Sequence, residues 1–441
     1  MKRIVILGGG ISGLTTAWYL KKQCSPSTQI IVIEKSSRLG GLIDTIEKGG
    51  FLFEKGPRTI RYNSDQDPVY KLVSEIGLQI IEASPSAKKK YLWREESLYS
   101  MPTHPLTTLF SPLMRGCLGA LLKERNIPPQ SVEDETIDSF FHRRFNEKIA
   151  NTFVDPLVSG IFAGNPKELS VRSCFPSLLE KEQKYGSIVK AFLSQRKKNV
   201  LFTFKQGMKE LITTLHQKLL EQKVAFLMDN EILHIEHKNQ KIRLTLKNDK
   251  LEADKVVSTL SHRSMLPLLN LLSTIPYASL GVVNLGYKQI LSKPLGFGLL
   301  IPSKEREKIL GITFDSDIFP HMAPSQNTSL TVMIGGSRYP IYSESDLLQI
   351  ALDGIKRILN IDAQPSSVYV SIAKEAIPQY PPFYHRQLEA LESSLLEKYP
   401  GLFCTGLTGN GINDAIERSR KIADAITKNE NFILSKLNKV L

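Results

Sequence analysis

Gly8, Gly10 and Gly13 follow a short apolar run, Ile4 to Leu7, and open a segment in which Ile11, Leu14, Ala17 and Trp18 recur at helical spacing. In GxGxxG the first glycine makes a tight turn. The second lets the backbone approach a pyrophosphate, and the third lets the helix pack against the strand. The anion would rest on the helix N-terminus at Ile11, Ser12 and Gly13, where unpaired amides and the helix dipole favour negative charge. Glu34 ends a second apolar run, "QIIVIEK", 21 residues after Gly13. A carboxylate there accepts hydrogen bonds from ribose hydroxyls and disfavours a 2′-phosphate. Strand, glycine turn, helix, strand and acid together predict a nucleotide-binding β-α-β unit.

These residues need elements to position them. "KIRLTLK" at 241–247 alternates apolar and polar residues as a strand does, and "EILHIEH" and "KVVSTL" on either side are expected to complete a small sheet. Further strands are expected at 279–288, 296–302, 309–315 and 329–335, and mainly helix over 131–220. "INDAIERSRKIADAI" near the C-terminus reads as an amphipathic helix with Ile412, Ala415, Ile416, Ser419, Ile422, Ala423 and Ile426 on one side. The two ends of the chain therefore read as one nucleotide-binding domain with the middle inserted. At 441 residues the chain exceeds what one core supports.

Composition narrows the function classes. The net charge is +13, but the cations are scattered and no basic helix is interleaved with stacking aromatics, so nucleic acid is not an expected partner. The four cysteines lie far apart and the eight histidines form no ligand pattern, which predicts reduced thiols and no metal site. The opening "MKRIVILGGG" has too short an apolar run, broken by glycines, to read as a signal peptide. No stretch of 18 unbroken apolar residues predicts a membrane span. The stretch 106–129 differs: Leu106, Leu109, Phe110, Leu113, Met114, Leu118, Leu121 and Leu122 cluster beside Arg115, Lys123 and Arg125. It fits either an interfacial membrane contact or a helix pair covering a core.

"KSSRLGGLIDT" and "GGFLFEKGPRTI", directly after the nucleotide-binding unit, resemble the FAD-dependent family that includes amine oxidases, phytoene desaturases and porphyrinogen oxidases. The resemblance then narrows to the protoporphyrinogen and coproporphyrinogen oxidase family. It is carried by "FVDPLVSGIFAGNPKELSVRSCFPSLLEKEQKYGSI", "LGFGLLIPSKE", "LGITFDSDIFPHMAP", "LTVMIGGSR", "AIPQYPP" and "GNGINDAI", in that order. It implies an α/β fold: a discontinuous Rossmann-like FAD domain (1–85, 201–260 and 386–441), an inserted mixed-sheet substrate domain (261–385 with parts of 86–100), and a helical, membrane-associated segment (86–200).

It also implies non-covalent FAD held by Gly8, Gly10, Ile11, Ser12, Gly13, Glu34, Lys35, Arg38, Gly41, Leu42, Gly56, Pro57, Arg58, Thr59, Ile232, Gly411, Ile412 and Asn413. Lys90, Gly164, Phe297, Gly298, Leu300, Thr313 and Met333 occupy substrate positions. Lys90 stands where relatives carry an arginine; it keeps the charge but loses the bidentate fork. Gln206 replaces a usual glycine, "YPPFYHRQ" replaces a usual valine-glycine-histidine, and the stretch Gly406 to Gly411 is about two residues short by the same resemblance. The implied activity is oxidation of a porphyrinogen, protoporphyrinogen IX or coproporphyrinogen III, by oxygen with release of hydrogen peroxide. No catalytic side chain is expected, because the flavin carries the chemistry. The expected setting is cytoplasmic, peripheral at the inner membrane face, as a monomer or homodimer. The competing readings are another FAD-dependent amine oxidase or desaturase, and a non-catalytic FAD-binding protein.

Overall fold

The computed structural model describes residues 2–103, 105–194, 198–341, 343–409 and 411–430, without the side chains of Pro105, Leu106 and Leu109. Its centre is a five-stranded parallel sheet in the order Ala225–Leu227, Gln29–Ile33, Arg3–Leu7, Lys255–Ser258 and Leu402–Cys404. The strands are short and almost wholly apolar because both faces are covered. The helices Ile11–Gln23 and Ile412–Lys428 pack together on one face, with Ile416, Ile422 and Ile426 in the same core as Leu14 and Ala17.

One expectation fails here. "KVVSTL" does not complete the small sheet; Lys255–Ser258 lies in the central sheet between Arg3–Leu7 and Leu402–Cys404. The small sheet is instead Ile232–Lys238, Lys241–Leu246 and Lys250–Ala253. Periodicity could not separate them, because an unbroken apolar run of four residues fits any buried strand.

The second sheet has seven strands, ordered Ser367–Pro378, Tyr277–Tyr287, Thr328–Gly335, Ile309–Thr313, Gly298–Leu300, Lys90–Arg94 and Ser97–Ser100. All pairings are antiparallel except Gly298–Leu300 with Lys90–Arg94. Its two faces separate by strand alternation. One carries Val283, Leu285, Leu299, Ile312, Val332 and Ile334, buried under the amphipathic helix Glu344–Leu359. The other carries Asn284, Lys90, Gly298, Leu300, Thr313, Thr331 and Met333, which the register sets side by side. Two glycines mark where neighbours press on this second face. A Cβ on Gly286 would fall 2.7 Å from the Phe51 ring, and one on Gly160 would fall 2.7 Å from Leu300.

The helical segment is tied together by charge. Arg144 is fully buried; its Nε donates to Glu124 at 2.9 Å, and its other nitrogens reach Glu182 and the carbonyls of Ile127 and Gly186. Arg143 joins Glu182 to Glu135. Such a cluster costs desolvation, and removing one member leaves a buried charge unpaired. Within 106–129, Leu113, Met114 and Cys117 are buried, whereas Phe110 and Leu122 are 80% and 68% exposed. Leu106 and Leu109, also expected to contribute, lie outside the described side chains. Among the described residues no helix is long and apolar enough to cross a membrane.

Candidate functional site

The glycine turn has the geometry its sequence requires. Gly8 has φ +100°, a conformation that side chains resist. A Cβ on Gly13 would lie 1.9 Å from the Gly8 carbonyl oxygen, so the helix can sit this close only without one. Around Gly10 a Cβ would meet nothing within 4 Å. Gly10 thus faces open space, as a backbone must if a pyrophosphate is to approach it. No side chain caps the helix that starts at Ile11, and its first turn holds no acid. Its first amides, those of Ile11, Ser12 and Gly13, are left to an anion. These features fit a dinucleotide such as FAD.

Glu34, from which a ribose contact is expected, is 9% exposed and is also engaged within the protein. Its Oε2 accepts from Gly9 N at 2.8 Å; its Oε1 accepts from Ser36 N at 3.0 Å and Ser36 Oγ at 2.8 Å. The carboxylate therefore braces the glycine turn and retains acceptor capacity beyond it. The following loop folds back on the same turn: Gly40 N donates to Gly9 O, and a Cβ on Gly41 would lie 3.6 Å from Gly10 Cα. Arg38 holds this loop by donating to the carbonyls of Leu39 and Gly41. Leu42 is exposed, with its carbonyl against Gly56, where a Cβ would lie 2.1 Å away. Lys35 is exposed at the rim. Ile232 follows a turn in which Asp229 and Asn230 donate to the carbonyls of Ser36 and Glu34, which brings it beside the acid.

The C-terminal motif meets this group in space. Gly411 precedes the helix Ile412–Lys428 without a side-chain cap, and Ser419 Oγ donates to Ser12 O at 2.9 Å. The Asn413 side chain is already engaged, donating to Arg61 O at 2.7 Å and accepting from Val69 N at 3.1 Å. It joins the helix start to the segment after "GPRTI", and its backbone amide lies in the first turn of that helix.

Gly56, Pro57, Arg58 and Thr59 cross from this domain to the open face of the seven-stranded sheet. Arg58 Nη1 donates to Thr313 Oγ1 at 2.8 Å. Thr313 is buried and its hydroxyl also donates to Asp315 at 2.9 Å, so it supports Arg58 instead of presenting itself as a free pocket wall. Gly298 pairs with both Thr313 and Lys90, and Gly311 with both Leu300 and Met333. The Lys90 ammonium lies 5.7 Å from the centroid of the Phe297 ring. Partial desolvation and the nearby Arg61 cation hold its pKa below the ordinary lysine value. Gly164 stands apart from these residues. It is buried at the end of the helix Asp155–Phe162, against Gln379 and Leu169, while Ala163 beside it shares a cluster with Met333.

Sequence reasoning missed four residues of this junction. Asp315, Thr331, Asn284 and Glu54 form a buried hydrogen-bonded chain behind Arg58. Glu54 Oε1 accepts from Met208 N at 2.8 Å and Oε2 from Thr45 Oγ1 at 2.9 Å. Burial pushes its pKa up to about 8 against those bonds and the Arg58 charge. The available signal was a polar residue interrupting an apolar strand, Asn284 in "LGVVNLGY" and Thr331 in "LTVMIGG".

Comparison with known proteins agrees with this geometry. Protoporphyrinogen oxidase of Bos taurus is 32% identical over 97% of this chain and 99% of its own length. Coproporphyrinogen III oxidase of Bacillus subtilis (strain 168) is 28% identical over 97% and 98%. A crystal structure from Exiguobacterium sp. 255-15, assigned as a protoporphyrinogen oxidase, superposes with a TM-score of 0.85 at 23% identity, over 97% of this chain and 99% of that one. The flavin containing amine oxidoreductase family matches residues 11–427. With a glycine turn, a bracing acid and two uncapped helix starts brought together, and with that match over nearly its whole length, the chain belongs to the flavin containing amine oxidoreductase family.

Proposed function

We propose that this protein is an FAD-dependent porphyrinogen oxidase of haem biosynthesis, acting on protoporphyrinogen IX or coproporphyrinogen III. The observation that carries the reading is the junction itself. An adjacent dinucleotide cradle and sheet face meet at Arg58, and the face bears apolar Phe297, Leu300 and Met333 beside the cation Lys90. The full-length likeness to relatives named for these two substrates supports it. Bound FAD would supply the two-electron chemistry, taking six hydrogens from the porphyrinogen in three steps that consume three oxygen molecules and yield three of hydrogen peroxide.

The chain's own part is binding and orientation. The amides after Gly10 and those at Ile412 and Asn413 hold anionic groups at two helix starts, each favourable charge contributing about 0.3–1 kcal/mol. Glu34 fixes the turn and accepts from the ribose. Phe297, Leu300 and Met333 offer an apolar surface for a flat tetrapyrrole, and Lys90 faces its propionates. The protein is expected to work in the cytoplasm at the inner face of a bilayer, because exposed Phe110, Leu122, Phe192 and Leu193 of the helical segment suit an interfacial position. The purified protein should be yellow and should convert either porphyrinogen to fluorescent porphyrin in air. A protein that retains FAD but releases peroxide only from amines would refute the substrate assignment.

A further inference from the structure

Asp315 opens the short helix behind the open sheet face, and its side chain is 11% exposed. Its hydrogen bonds can be counted. Thr313 Oγ1 receives Arg58 Nη1 and so points its own hydrogen at Asp315 Oδ1. On the other side, Thr331 Oγ1 lies 2.5 Å from Asp315 Oδ2 and 2.8 Å from Asn284 Oδ1. The orientation of Asn284 follows from its other neighbour. Its Nδ2 reaches the Glu54 carbonyl oxygen at 3.3 Å, and that oxygen can only accept. Thr331, with a single hydrogen, thus stands between two acceptors. If Asp315 were a carboxylate, one buried acceptor would have no donor, which is costly. If Asp315 carries the proton on Oδ2, it donates to Thr331, Thr331 to Asn284, and Asn284 to Glu54 O, and each acceptor in the chain has a donor.

Arg58 adds a second observation. Its guanidinium is 3.9 Å from Asp315 Oδ1, too far for a hydrogen bond, and bonds to the Thr313 hydroxyl instead. We propose that Asp315 is a neutral carboxylic acid that positions Arg58 through Thr313, so that the Arg58 charge stays available to an anionic group bound on the sheet face. The proposal rests on the porphyrinogen oxidase reading only for what that anionic group is.

The charged groups facing Asp315 are Arg58 from the "GPRTI" segment, Glu54 from the strand Phe51–Glu54, Asp317 on its own helix and Lys293 beyond the strand Tyr277–Tyr287. Burial raises the Asp315 pKa; Arg58 and the two threonines pull it down, and Asp317 pushes it up again. A raised native pKa gives stability that is complete below the unfolded value, 3.8, and is lost as pH rises toward the native one.

Asp315→Asn tests this, because the amide places a donor at Thr331 and an acceptor at Thr313, as the protonated acid does. The melting temperatures of purified wild-type and variant holoprotein are compared across pH, with KM and kcat measured for a porphyrinogen. The variant should keep kcat/KM within about threefold, as an equivalent set of bonds predicts, while Asp315→Ala loses at least about tenfold, mostly through KM. The melting temperature of Asp315→Asn minus that of wild type should grow as pH rises. An infrared carboxylic-acid band should be present in wild type and absent in Asp315→Asn. If Asp315→Asn fails to fold, or melts well below wild type at neutral pH with the gap closing on acidification, Asp315 is ionised and the proposal is overturned. The melting and infrared measurements need no substrate, so a wrong substrate assignment would leave this test intact.

Discussion

Glu34→Gln separates two roles that share one side chain. In the folded protein one carboxylate oxygen accepts the Gly9 amide and the other accepts the amide and hydroxyl of Ser36, at 2.8 to 3.0 Å. Glutamine offers a carbonyl to one side only. If that carbonyl keeps Ser36, the new NH₂ group faces the Gly9 N–H, and two donors meet in a site only 9% exposed. The lost charge-assisted bond costs about 1.5–3 kcal/mol, which should lower the melting temperature of the apoprotein by several degrees. FAD binding then suffers separately, from a displaced turn and a weaker ribose acceptor. A further loss of about 1.5–3 kcal/mol corresponds to a Kd raised about 10- to 150-fold. Flavin fluorescence titration of the apoprotein measures the second effect and thermal melting the first. Lys71→Ala, at an exposed position outside the cradle, is the control and should change neither. An apoprotein of Glu34→Gln that melts like wild type and binds FAD within about twofold would refute both the bracing and the ribose contact.

Four other outcomes are expected. Lys90→Ala should raise KM for a porphyrinogen more than it lowers kcat, because a cation distant from the reacting carbon serves ground and transition states alike; Lys90→Arg should restore KM. Arg144→Met should destabilise the helical segment by about 3–5 kcal/mol, read from the change in melting temperature, because it strands buried Glu124. Burial opposes ionisation of Glu124, but Ser187, Arg144 and the Ile188 amide outweigh it and depress its pKa. The stability it provides is therefore present above the ordinary glutamate value of 4.5 and lost as pH falls below it, so the wild-type melting temperature should drop there and that of Glu124→Gln should depend less on pH. Flotation with anionic liposomes should occur at low salt and weaken at high salt; Phe110→Glu with Leu122→Glu should abolish it without unfolding the protein, since both side chains are exposed.

The parts of the site that could be read in advance are those whose chemistry is local. A glycine turn and the acid that follows it are defined within some thirty residues, and Gly8, Gly10, Gly13 and Glu34 occupy the geometry their spacing implies. Four of the seven strands of the substrate sheet, near 279–288, 296–302, 309–315 and 329–335, could also be found, but Lys90–Arg94, Ser97–Ser100 and Ser367–Pro378 were missed. Their order could not be read. Nothing in "KYLWR" says that it runs parallel beside Gly298–Leu300, yet that pairing is what brings Lys90 to Phe297. The Asp315 chain escaped for the same reason. Each member is an ordinary polar residue in its own segment, and only the fold puts Thr313, Thr331 and Asn284 on neighbouring strands. Asn413 is the opposite case: its motif singles it out, but its side chain bonds to Arg61 and Val69, a role no local pattern announces.

The interleaving of the central sheet has a consequence for how the protein is made. Arg3–Leu7 needs Lys255–Ser258 as a neighbour, that strand needs Leu402–Cys404, and the helix behind Gly10 packs against both Lys209–Glu221 and Ile412–Lys428. A ribosome adding roughly 5–20 residues per second releases the first strand on the order of 20–80 s before its last partners. Through that interval the apolar strands Ile4 to Leu7 and Ile30 to Ile33 have exposed edges and no finished layer to cover them. Long-range closure of this kind is slow and prone to aggregation. Chaperone dependence during synthesis should therefore be high, and the cofactor can be captured only after the helix Ile412–Lys428 has left the ribosome. A shortage of flavin would then leave a fully synthesised but fragile apoprotein in the cell, so flavin supply would set the amount of usable enzyme through protein turnover as well as through occupancy.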